Sequence, residues 1–342
     1  MANARKYLPS IIALIVVIGI IAASIWFFRP KPSPDLPTTI RIGIATWPGF
    51  ASGMVGKEKG FFEGIDLEYR TIDDLPARHA AFRSGDLDIM ISSVDLWVQE
   101  KTQGIEGKAF LVTDESAGGD GIVAKPSIKT LADLRGKKVA FARATPSHYL
   151  LFKAMEKVGL TPSDIEQVKV EDPGNAGQAF LGGSVDAAVT WEPFLTQVRE
   201  SSNGHVLTTS KEFPGTIVDV LIASPKLLSQ PDVLSRFIQG WLKSVAYIKS
   251  HPDEATEIIA KGLEVKKEDI QGMTAGLQFA DTDRNRFFLC ADNLNGSRLA
   301  AVGRDAGEFW KRQGILSTSP AIDELFTQKL CEISNLPTGS SK

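Results

Sequence analysis

Two stretches far apart in the chain are built alike: Ser84–Ser93, "SGDLDIMISS", and Gly182–Trp191, "GGSVDAAVTW". In each, glycine closes a helical segment and an acid leads into a short apolar run. A helix stop feeding a buried strand is one half of a strand–helix–strand unit. Its recurrence predicts two α/β units, each built on parallel pairing through helical crossovers.

The flanking sequence extends both units. Upstream of the first, "TIRIGIA" (39–45) reads as a buried strand and "MVGKEKGFFEG" (54–64) as a short helix closed by glycine. "IDLEYRTI" (65–72) is an alternating strand, and "LPARHAAFRSGD" (75–86) is the helix that enters the motif. Upstream of the second, "SIKTLADLRGKKVAFA" (127–142) reads as helix then strand. "SHYLLFKAMEKVGL" (147–160) is amphipathic, with Tyr149, Phe152, Met155 and Val158 at helical spacing, and "IEQVKVED" (165–172) is a strand. From about Thr216 the chain is mostly helical, with proline or acidic helix starts.

The whole chain has 342 residues, 43% hydrophobic and 23% charged, with a net charge of only −3. That balance describes a folded globular protein and gives no footprint for a nucleic acid partner. Two cysteines, Cys290 and Cys331, with no Cys/His cluster, argue against a structural metal. They are either a disulfide, if the compartment is oxidising, or two buried thiols. At the N-terminus, Arg5 and Lys6 precede an uncharged run from Leu8 to Phe28, long enough to span a hydrocarbon core. Residues 1–28 are read as an uncleaved signal anchor with its N-terminus inside, and a cleaved signal peptide is the alternative. Four prolines in Arg29–Thr39, "RPKPSPDLPTT", predict an extended spacer.

Candidate binding residues cluster where strands end, because ligands of open α/β sheets sit beyond the carboxyl ends of strands. Trp47 in "ATWPGF" follows the first strand, and Trp191 and Glu192 in "TWEPF" end a strand of the second unit. One tryptophan per unit predicts aromatics facing each other across a cleft. Ser93 and Asp95 in "SSVD", and Ser147 and His148 in "ATPSHYLL", stand at strand-to-helix turns. There a serine cap leaves helix N–H groups free for an anion, although simple capping explains the spacing equally well. Asp219 lies inside the apolar "TIVDVL", where a carboxylate needs a partner. The stretch Leu111–Lys125, "LVTDESAGGDGIVAK", places three acids and three glycines between two apolar runs. Its acids lack metal-loop spacing. Its glycines suit a chain crossing, Asp120 beside them is the acid expected at the ligand, and Asp114 and Glu115 are read as a solvated rim or as a layer behind the ligand contacts. No nucleophile elbow, zinc-protease motif or phosphate-loop lysine is present, so the reading is a binding protein and not an enzyme, with no cofactor.

Taken in order, "TWPGF", "GKEKGFFEGIDLEY", "FRSGDLDIMISSVD", "DESAGGDGIVAK", "GGSVDAAVTWEPF" and "PGTIVDVLIASPKLL" resemble the periplasmic solute-binding proteins of ABC importers. The resemblance is to the nitrate/sulfonate/taurine group, related to thiamine-precursor binders, and runs from about Ile40 to Ile333. It implies an α/β, two-lobed periplasmic-binding-protein fold (type II), each lobe a mostly parallel sheet flanked by helices. Residues 40–118 and 216–335 would form lobe one, 119–215 lobe two with the hinge crossings, and 336–342 a tail. It further implies a monomer that closes on a small solute and delivers it to an ABC permease with its ATPase. The location would be the extracytoplasmic face, tethered to the inner membrane. A sensory receptor role stays open, and a pyrimidine-precursor synthase on the same fold is the remote rival, short of the cysteines it would need. Trp47, Ser93, Asp95, Asp120, Ser147, His148, Trp191, Glu192 and Asp219 form the expected ligand set. So many acids suit an amine-bearing or zwitterionic solute better than a bare anion.

Overall fold

The computed structural model describes residues 38–337. The expected anchor (1–28), all of the spacer but Thr38 and Thr39, and the last five residues of the tail lie outside the described residues. Among the described residues no helix is long and apolar enough to cross a membrane.

Two sheets carry the architecture. The first contains β1 (Thr38–Ile44), β2 (Ile65–Thr71), β3 (Ile89–Ser93), β4 (Lys108–Ser116), β10 (Val218–Ala223) and β11 (Leu277–Phe279), in the order β11-β4-β10-β3-β1-β2. The second contains β5 (Asp120–Ala124), β6 (Lys138–Ala142), β7 (Glu166–Val170), β8 (Ala187–Trp191) and β9 (His205–Thr209), in the order β7-β6-β8-β5-β9. The two echoed stretches supply β3 and β8. Their side chains are buried on both faces, apart from Trp191, because helices cover them. At the edge, β2 buries Ile65 and Leu67 and turns Asp66 and Glu68 to solvent.

The expected mostly parallel sheets are corrected. Only β1–β2, β1–β3, β6–β7 and β6–β8 are parallel, while β10 runs antiparallel to β3 and β4, β11 to β4, and β5 to β8 and β9. The cause is the passage between sheets. The chain leaves through β4 into β5 and returns through β9 into β10. These two paths pair as an antiparallel ribbon that belongs to both sheets. Parallel order is confined to strands joined by helical crossovers. The helix read within 127–142 is only one 3-10 turn, Leu131–Leu134, and β11 interrupts the helical C-terminal third.

At the crossings, the Ser116 N–H donates to the Ile217 carbonyl (3.0 Å), and the Gly118 N–H donates to the Ser210 hydroxyl (2.8 Å). Gly118 has φ 128°, open to glycine alone among common residues. Gly119 donates to the Gly276 carbonyl (3.0 Å), and a Cβ on Gly276 would come within 2.4 Å of the Gly119 nitrogen.

One large apolar core runs under the first sheet and into the second unit. Its bulkiest members, Trp97, Trp241 and Trp310, are fully buried. Trp97 donates to the Leu325 carbonyl (2.8 Å) and Trp310 to that of Asp95 (2.8 Å), which satisfies the indole N–H in each case. Cys290 and Cys331 form a disulfide (S–S 2.05 Å), tying the helix Thr282–Leu289 to the C-terminal 3-10 turn.

Candidate binding cleft

The loop after β1 and the end of β8 meet between the sheets. Trp47 and Trp191 stack there, ring centroids 6.3 Å apart with planes 29° from parallel. Trp47 is buried, whereas Trp191 remains 37% exposed at the mouth. Each tryptophan has an acid beside it. The Trp47 indole N–H donates to Asp114 (3.3 Å), and Trp191 stands opposite Asp120 across the β5–β8 pair.

Asp114 and Asp219 are directly opposed across β4 and β10, and Asp219 is directly opposed to Ser93 across β10 and β3. Opposed residues on neighbouring strands point to the same face. Ser93, Asp219 and Asp114 therefore form one row, and Asp120 and Asp95 bear on Asp219 electrostatically. All four acids are buried. No lysine, arginine or histidine pairs with any of them among the described residues. Burial pushes Asp95 and Asp114 up to about 7 and Asp120 up to about 6. Asp219 is pushed well up by burial and then by the Asp114, Asp120 and Asp95 charges. The Ser116 hydroxyl donates to Asp120 (2.6 Å) and bonds the Ser210 hydroxyl (2.8 Å), which connects that acid to both crossings.

Of the two sequence readings of Asp114 and Glu115, the solvated rim is corrected. Both are buried, because β4 is paired on each side, by β10 and β11. Glu115 is occupied by Arg284 and the Gly215 N–H (2.5 Å). The sequence held no local signal for this, because β4 is buried on both faces and its pairing with β10 joins segments far apart in the chain.

The serines are placed differently from a pair of capping residues. Ser93 precedes the helix Val94–Thr102 but makes no side-chain cap bond. The helix Pro146–Glu156 is preceded by Thr145, and Ser147 lies inside its first turn, because Pro146 takes the first helical position. The hydroxyls of Ser92, Ser93 and Ser147 are buried without a partner. Asp95 sits in the first turn of its helix with neither carboxyl oxygen hydrogen-bonded.

Glu192 and His148 are engaged elsewhere. Glu192 accepts from the Thr196 N–H (2.9 Å) and from Arg199 (2.6 Å), so both of its oxygens serve the helix Phe194–Glu200. His148 accepts from the Ala144 N–H (3.2 Å) through Nδ1 and lies among Phe141, Phe152, Phe309 and Trp310. Burial holds its pKa down to about 3, so it is neutral at physiological pH. It joins the second unit to the helix Arg298–Arg312 as a packing residue.

Two mixed sheets joined by a double crossing, with aromatics and polar groups meeting between their strand ends, define a cleft-binding protein of the periplasmic-binding type. Residues 47–255 match the NMT1/THI5-like family, and the chain belongs to it. It is 30% identical to a binding protein of Brucella abortus, over 68% of this chain and 74% of that one. It is 24% identical to the taurine-binding periplasmic protein of Escherichia coli, over 78% of this chain and 82% of that one. The fold matches the periplasmic aliphatic sulphonate binding protein of Escherichia coli at a TM-score of 0.69 and 19% identity, covering 85% of this chain and 98% of that one. The two relatives named here are binding proteins.

Proposed function

We propose that this chain is the solute-binding component of an ABC importer, and that its solute carries a cationic nitrogen. The carrying observation is the tryptophan pair set against four buried acids that have no basic partner. A bare anion entering this cleft meets four carboxyls and, among the described residues, no basic side chain paired with them. Helix Val94–Thr102, whose N-terminus would favour an anion, already holds Asp95 in its first turn. An ammonium or protonated heterocycle gains the faces of Trp47 and Trp191, worth about 0.5–2 kcal/mol. It also gains charge-assisted hydrogen bonds to carboxylates, about 1.5–3 kcal/mol each. The unpartnered Ser93 and Ser147 hydroxyls then serve a polar or anionic tail, as in an amino-sulfonate. Trp47, Ser93, Asp95, Asp114, Asp120, Ser147, Trp191 and Asp219 make the contacting set, and Glu192 and His148 support it.

The lobes proposed from sequence (40–118 with 216–335, and 119–215) turn about residues 117–119 and 210–217. Solute contacts from both favour the closed form, which the permease recognises. The relatives' periplasmic location and the Cys290–Cys331 disulfide support an extracytoplasmic, oxidising compartment. Tethering through residues 1–28 is part of the proposal. Calorimetric titration with taurine, ethanolamine, an aminopyrimidine, ethanesulfonate and nitrate tests the solute class. The expected result is binding of an amine-bearing compound, weakened by Asp114→Asn and Asp120→Asn. Binding of nitrate or ethanesulfonate with every amine inert overturns it.

A further inference from the structure

The row Ser93–Asp219–Asp114 crosses three adjacent strands, and its two acids occupy directly opposed positions of β10 and β4. Paired positions in an antiparallel ladder bring their Cβ atoms to about 4.5–5.5 Å, so two short aspartate side chains meet. Both carboxyls are buried without a basic partner among the described residues, and each charge bears on the other. Two carboxylates held that close do not both ionise, so one of the two keeps a proton. We propose, resting on the cationic-solute reading above, that Asp114 and Asp219 share one proton in the empty cleft and that the solute's cationic nitrogen enters by taking that proton's place.

The surroundings leave no other counter-charge. Trp47 donates to Oδ1 of Asp114 and Thr113 to Oδ2 (3.0 Å), both neutral donors. Gly49 lies against the same carboxylate so closely that a Cβ there would be 2.0 Å from Oδ2. The titratable groups facing the pair are Asp120 from β5 and Asp95 from the helix Val94–Thr102, both acids. Nearby cations are spent: Arg284 on Glu115 and Arg199 on Glu192. An independent sign that the row awaits a ligand is Asp95, fully buried with both oxygens unpartnered, together with the unpartnered hydroxyl of Ser93 opposite Asp219. In the exchange no covalent bond to carbon changes. The O–H bond of the pair breaks, the proton passes to buffer, and N–H groups of the solute donate to both carboxylates.

The consequence is that apparent affinity rises about tenfold per pH unit until the pair is ionised in the empty protein. Two measurements on the full chain test it. Carboxyl carbon NMR of aspartate-labelled protein without solute is expected to show, beside the raised Asp95 and Asp120, a further carboxyl titrating above both of them, and that step is lost in both Asp114→Asn and Asp219→Asn. Calorimetry with ethanolamine and taurine, in phosphate and in imidazole buffer just below neutral pH, is expected to show about one proton released per solute in the wild type and clearly fewer in Asp219→Asn. Ordinary aspartate titration of both carboxyls overturns the shared proton. Binding of either amine without proton release overturns the exchange. If neither amine binds while the NMR step is present, the solute class falls, and the exchange with it, while the shared proton stands.

Discussion

Asp95→Asn offers a test that needs no ligand. The Asp95 carboxyl is fully buried without a hydrogen-bond partner, and its pKa is raised from 3.8 to about 7. The native state therefore holds the proton more tightly than the unfolded chain does. Stability from this group is full below about pH 4 and is lost as pH rises toward 7. A shift of about three units amounts to a loss of about 4 kcal/mol at pH 8, and less than half of that near pH 5. Asparagine keeps the shape and removes the charge, but its amide still lacks partners, so the net gain is about 1–2 kcal/mol at pH 8. For a folded part of this length that is a Tm increase of roughly 2–4 °C. The assay is thermal unfolding of wild type and variant across this pH range. A lower Tm for the variant at pH 8, or an equal gain at pH 5 and pH 8, refutes the reasoning.

Other expectations follow from single contacts. Trp47→Ala or Trp191→Ala should weaken binding of an amine solute by roughly 3–30-fold, read by calorimetry, since each removes one aromatic face. Gly276→Ala forces a Cβ against the Gly119 backbone, so it should displace the crossing and change solute affinity with the cleft residues intact; unchanged affinity and unchanged scattering profiles refute a role in closure. Cys290→Ser with Cys331→Ser opens a connection of 41 residues and should cost about 2–4 kcal/mol, seen as a lower Tm that reductant no longer affects.

The strands and most helices were legible because their periods are local: alternation in β2 and the glycine stops before β3 and β8 need only a few neighbouring residues. Strand order was not. Nothing in "TIVDVL" says that it inserts between β3 and β4, so the antiparallel ribbon and the burial of Asp114 escaped the sequence reading. The meeting of Trp47 and Trp191 was legible because strand ends are readable and a tryptophan there is conspicuous. Glu192 and His148 stand at strand ends too, yet both have protein partners. Their partners, Arg199 and the Phe309–Trp310 pair, lie where only three-dimensional packing reveals them.

The placement of β10 also bears on how the protein is made. β3 and β4 do not pair with each other; the slot between them is filled by Val218–Ala223, a segment that emerges only after the whole second sheet. A chain delivered N-terminus first therefore presents two apolar strands with unpaired edges until it has emerged through Ala223. Exposed edges of that kind recruit other strands. Entry of Val218–Ala223 fills that slot and sets Asp219 opposite Ser93 and Asp114 in one event. The interval before it is when the nascent protein most needs a holding chaperone.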